Sequence, residues 1–175
     1  MVLLWLLMSF ALQHIWLEKT GTNAAFYEVT IDSFELDPNY DRTSFVMKSV
    51  RVARKGRNDF VISGEYALLR NYGNENTFYY ELKNSRGMSL IRGSKPFCEA
   101  LNSKQAIVRK LREYSTMPPG NCCPLPKGKY EIVNFRVQER DLPLVAVKDS
   151  YTVYGKVAAP DGHMMLAFKA QFSIS

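Results

Sequence analysis

Apolar residues recur with period two along most of this chain, and the period changes to about 3.6 in a single stretch that starts at Pro96 and stops at Met117-Pro118-Pro119-Gly120. Alternate side chains of a strand point to opposite faces, so the period-two runs predict half-buried β-strands and the exception predicts one helix. Strands are expected at 26–32, 45–52, 59–69, 77–82, 88–91, 130–137, 151–157 and 165–174. Within them Val46, Val50 and Val52 share a face, as do Phe60, Ile62, Tyr66 and Leu68, and again Phe78, Tyr80 and Leu82. Gly64 interrupts its strand and predicts a bulge or a close backbone approach. Turn chemistry separates the runs at Asp37-Pro38-Asn39, Asn71-Tyr72-Gly73-Asn74, Asn84 to Gly87, Gly93-Ser94 and Ala159-Pro160-Asp161-Gly162. The last of these joins two strands into a terminal hairpin whose cleaner face carries Leu166, Phe168, Ala170, Phe172 and Ile174.

The exceptional stretch predicts one amphipathic helix over 96–115. Phe97, Leu101, Val108 and Leu111 form its buried stripe, and Lys104, Arg109, Lys110 and Arg112 face water. Pro96 suits a first helical turn, and the prolines after Met117 forbid continuation. Short strands between Gly, Pro and Asn turns, with one helix, predict an all-β antiparallel sandwich or barrel. Composition agrees, since 13% aromatic residues suit strands and argue against disorder. With 175 residues and no repeat or linker, the chain is expected to form a single domain from residue 26 to 175.

The first twelve residues are an apolar run of h-region length, too short to cross a bilayer before Gln13-His14. They predict a signal peptide over 1–21, with its end anywhere from 11 to 24, and therefore secretion. An oxidising compartment turns three cysteines into one bridge and one remaining thiol. Cys122 and Cys123 point to opposite faces of an extended segment, so only one of them can aim at Cys98. The formal charge of +6 and pI of 9.2 favour solubility first, and anionic lipid surfaces or acidic partners over nucleic acid.

Catalytic chemistry is not written here. Beyond the leader only His163 remains, in an exposed turn, and no Gly-x-Ser-x-Gly elbow is present. Glu65 and Glu81 read as residues of a solvated strand face, although facing carboxylates can form an acid/base pair. The Cys and His spacings resemble no zinc site, and no acidic loop of the calcium type occurs. No cofactor, metal or enzyme activity is expected. The basic tip Arg51, Arg54, Lys55 and Arg57 reads as a hydrated hairpin end that discourages edge pairing, or as a contact for lipid headgroups or an acidic receptor surface.

Phe97-Cys98-Glu99, the helix, Pro118-Pro119-Gly120, the run Cys123-Pro124-Leu125-Pro126-Lys127-Gly128-Lys129-Tyr130 and Asp141-Leu142-Pro143 together resemble the ganglioside-activator branch of the ML lipid-recognition proteins. Their order is closest to the insect secreted members, the chemosensory CheA/CheB group and relatives. The resemblance spans residue 26 to the C-terminus, with its specific marks between Cys98 and Pro143. The chain has fewer cysteines than the ganglioside-activator pattern, so the ligand class does not carry over.

The resemblance implies a two-sheet, immunoglobulin-like β-cup that holds a hydrophobic ligand between its sheets. It also implies a Cys98–Cys123 bridge, because Cys123 precedes the Pro-x-Pro-Lys-Gly run, and this leaves Cys122 as a free thiol unless it pairs in its neighbour's place or with another chain. The expected cavity wall is Phe60, Ile62, Tyr66, Phe78, Tyr80 and Leu82 with Leu101, Val108, Tyr151, Val153, Leu166 and Phe168. A polar head would sit at the rim near residues 117–127. The function expected is secreted binding of a small hydrophobic ligand or lipid, in a pheromone-related chemosensory setting. Rival readings are a module acting on a receptor or channel, with peripheral membrane contact, and a lipid-presenting activator of a hydrolase.

Overall fold

The computed structural model describes residues 28–56, 59–103, 106–136 and 147–175. The expected signal peptide, Arg57 and Asp141-Leu142-Pro143 lie outside the described residues. Among the described residues the architecture is all-β, with two antiparallel sheets and two short helices. The five-stranded sheet runs β1 (Val29–Leu36), β9 (Met164–Ile174), β8 (Asp149–Ala158), β5 (Thr77–Asn84), β6 (Ser89–Pro96) in spatial order. Facing it are β2 (Phe45–Met47), β3 (Arg51–Gly56), β4 (Asp59–Leu68) and β7 (Gly128–Phe135). The expected terminal hairpin is β8 and β9, paired from Asp149↔Ile174 to Ala158↔Met164.

The expected single strand at 45–52 is two pieces. β2 pairs with β4 at Tyr66 to Leu68 and β3 at Asp59 to Ser63, while β7 pairs with β4 from Ile62 to Leu68 and so overlaps both stretches. A strand has only two edges, so β2 and β3 lie end to end on the edge opposite β7. Between them Lys48, Ser49 and Val50 bulge against Gly64, whose φ is +152° and whose missing Cβ would lie 2.4 Å from Val50 Cα. The extra residue reverses the alternation: Phe45 and Met47 turn inward before the bulge, Val50 and Val52 after it. Val46 is therefore not on the face assigned to it from its spacing.

β6 also differs from the sequence expectation, which closed a short strand at Gly93-Ser94. It continues to Pro96, because Gly93 leaves space for the Tyr80 hydroxyl, 2.5 Å from where a Cβ would stand. The expected helix over 96–115 divides into α1 (Phe97–Leu101) and α2 (Ala106–Glu113). Asn102 is the reason visible at the break. Its N–H donates back to Cys98 O at 2.9 Å, while its Oδ1 accepts from Arg112 Nη2 at 2.6 Å and from Asn121 N at 3.2 Å. Such side chains offer the backbone an alternative to continued helix.

A clasp joins the helices to both sheets. Cys98 is bonded to Cys123, Cys98 N donates to Asn74 Oδ1 at 3.1 Å, and Tyr72 and Leu125 exchange both backbone hydrogen bonds at 2.9 Å. Tyr72, fully buried, packs its ring 5.3 Å from Phe97. Between the sheets lies one apolar cluster, to which Ile62, Tyr66, Ile132 and Phe135 come from one side and Phe78, Val153, Phe168 and Phe172 from the other.

Candidate functional site

The residues expected to line a cavity converge between the sheets. Ile62, Tyr66, Phe78, Leu82, Leu101, Val108, Tyr151, Val153, Leu166 and Phe168 all belong to the buried cluster, and Tyr80 packs against it half-buried. Phe60 does not join them, and its ring lies under the Arg54 guanidinium at 5.9 Å. Aromatic contacts set much of the interior, with Phe45, Tyr66 and Tyr130 in series at 5.9 and 5.5 Å and Tyr151 stacked on Phe172 at 5.2 Å.

One polar atom stands out in this apolar volume. Tyr66 is 3% exposed, and its hydroxyl finds no hydrogen-bond partner among the described residues. Burial, with a smaller contribution from Tyr130, pushes its pKa far above the usual phenol range, so it is a neutral donor. Tyr130 avoids this state by donating to Pro126 O at 2.7 Å.

Arg112 borders the same end of the sandwich, against the expectation that it faces water. Half-buried, it donates from Nη1 to Pro118 O at 2.7 Å and from Nη2 to Asn102 Oδ1 and Leu101 O. All three acceptors are uncharged. Burial pulls the guanidinium below its usual pKa, offset in part by Cys122 and Tyr66. Cys122 is a free, half-buried thiol whose Sγ lies 3.8 Å from Pro124 O. Arg112, held by Pro118 O and Asn102 Oδ1, thus lies within electrostatic reach of the buried phenol and of the Cys122 thiol.

A concavity of about 860 Å³ takes none of its lining from β2, β3, β4 or β7. It lies on the outer face of the five-stranded sheet. Its floor follows one cross-strand row, Leu36–Phe168–Gly155–Tyr80–Gly93, in which Leu36, Phe168 and Tyr80 turn to the core and the two glycines carry no side chain. One flanking row, Glu35–Lys169–Tyr154–Glu81–Arg92, is in continuous register across all five strands, and Tyr79 pairs with Lys156 in the row on the other side. Tyr79 and Tyr154 are 39% and 38% exposed. Ammonium groups rest on both rings, Lys156 over Tyr79 at 4.7 Å and Lys83 over Tyr154 at 5.1 Å. The outward alternation of these residues is visible in the sequence, but their alignment across strands distant in sequence is not.

Of the basic tip, Arg51, Arg54 and Lys55 are described, and all three are exposed. Arg54 and Lys55 lie near the β3–β4 turn, whereas Arg51 lies at the far end of β3, opposite Ser63. His163 Nε2 lies 3.1 Å from Asp41 Oδ2, a contact between two loops. Glu65 and Glu81 occupy different sheets, Glu65 opposite Glu131 and Glu81 bound to Lys83 at 3.3 Å, so they do not face each other. Among the described residues no three His, Cys, Asp or Glu side chains gather to hold a metal ion. No described helix is long and apolar enough to cross a membrane.

A family model matches residues 73–153. Its description is "Protein of unknown function (DUF1091)", and the match runs from the residue after Tyr72 through β5, β6, both helices, the disulfide and β7 into β8. It covers less than half of the chain. No curated protein matches the sequence significantly. Among solved structures, chicken MD-1, determined in complex with lipid IVa, is similar at 13% identity and a TM-score of 0.42, covering 83% of this chain and 90% of that one.

Proposed function

We propose that this chain is a secreted, non-enzymatic binding protein of the ML type, a single domain from residue 26 onward, that holds a small apolar or amphipathic ligand between its two sheets. The ligand is a lipid or a hydrophobic semiochemical, in a chemosensory setting. The observation that carries the reading is the Tyr66 hydroxyl, a neutral donor without an acceptor among the described residues, inside a largely apolar interior. Leaving such a group unpaired costs about 1–3 kcal/mol, and native interiors rarely tolerate it without a reason. A ligand oxygen beside Tyr66, with the remaining head toward Arg112 and residues 117–127, removes that cost. Burying the tail adds about 0.8 kcal/mol per CH₂ group. The disulfide suits the oxidising compartment that secretion implies.

Ile62, Phe78 and Val153 are fully buried between the sheets, so entry of a tail requires the sheets to part. Titration with cis-parinaric acid tests the proposal. Saturable one-to-one uptake is expected, displaceable by unlabelled fatty acid and weakened about tenfold in Tyr66→Phe, the equivalent of one hydrogen bond. The same substitution should leave the thermal midpoint of the ligand-free protein unchanged or higher. Folded protein that takes up no probe would favour the rival reading, a filled sandwich acting on a receptor or channel through exposed residues such as Arg54 and Lys55.

A further inference from the structure

We propose that the concavity on the outer face of the five-stranded sheet is a second binding site, for a neutral oligosaccharide. Its volume of about 860 Å³ falls within the range of small-ligand sites, about 300–1,000 Å³. Three lining residues are acidic, Glu35, Asp37 and Glu81, and three are basic, Arg92, Lys156 and Lys169, so the lining is formally neutral. That balance selects the occupant. A polyanion would meet three carboxylates, and a lipid tail would strip water from six charges without replacing its hydrogen bonds.

A polyol meets neither obstacle. Each sugar hydroxyl both donates and accepts, which matches carboxylates alternating with ammonium and guanidinium groups along the row from Glu35 to Arg92. The C–H faces of the sugar rings are apolar and pack on aromatic side chains. Tyr79 and Tyr154 offer such surfaces, held in place by the lysines resting on them. Strand addition by a peptide is excluded at the centre of the site, because β5, β8 and β9 are each paired on both edges.

A printed array of neutral and sulfated glycans, probed with the intact protein, tests the site. At least one neutral glycan should be retained. Tyr79→Ala and Tyr154→Ala should each weaken its binding about tenfold, as expected for aromatic anchors, while Tyr154→Phe keeps the ring and stays near wild type. Circular dichroism checks that the alanine variants fold, and should either fail, Glu81→Gln serves in its place with a several-fold loss expected. No retained neutral glycan, a preference for sulfated ones, or binding indifferent to these substitutions would overturn the proposal. Uptake of cis-parinaric acid should be the same in Tyr154→Ala as in wild type, which separates this site from the interior.

Discussion

At Gly64 the backbone of β4 comes so close to Val50 that no side chain fits, and the φ angle is one that L residues avoid. Gly64→Ala should therefore cost about 2–3 kcal/mol, read as a lowered urea midpoint at unchanged slope. Asp41 shows the opposite economy, a surface residue with many partners. Its carboxylate accepts from Ser44 Oγ, from Thr43 N at 2.8 Å and Thr43 Oγ1 at 2.7 Å, and pairs with His163 at 3.1 Å. The hydrogen bonds from Ser44 and Thr43 chiefly hold its pKa well below the usual carboxylate range. The unfolded chain then binds this proton at a higher pH than the folded one, so the contribution is complete above about pH 4 and declines as pH falls further. Asp41→Asn should be less stable than wild type at pH 7, and the gap should narrow toward pH 2 in matched thermal melts.

Elements meet at the disulfide clasp, and its loop length sets what the bond contributes. The cysteines are 25 residues apart, and closing a loop of that size restricts the unfolded chain by about 3.5 kcal/mol in the chain-entropy model. Cys98→Ser should lose a stability of that order in denaturant titration. Cys122→Ser, at a half-buried thiol outside the bond, should change it by less than about 0.5 kcal/mol. Near-native stability of Cys98→Ser would show that the hydrogen bonds of Tyr72, Asn74 and Leu125 suffice alone. The division of the helix belongs to this scale too. Leu101 and Val108 are both buried at a spacing that one continuous helix would satisfy, so the apolar stripe could not reveal the break. Asn102 decides it by binding Arg112 and Asn121, residues that reach it only after the chain has turned.

Across the molecule the sheet order brings together strands from opposite ends of the chain, with Val29 opposite Ile174 and Leu36 opposite Phe168. That closure creates both candidate sites, since the interior needs both sheets and the outer row crosses β1, β9, β8, β5 and β6. Alternation and turn residues determined the β-class, most strand positions, the inward faces of β4, β5 and β9, and the apolar character of the interior, because these depend on neighbours two to four residues apart. Only the tertiary structure decided the parity reversal after Met47, the inward turn of Arg112, the missing partner of Tyr66 and the alignment of Glu35, Lys169, Tyr154, Glu81 and Arg92. Each depends on which distant backbone lies alongside, and a side chain's partner across a sheet is fixed by register between strands, a quantity no single strand contains.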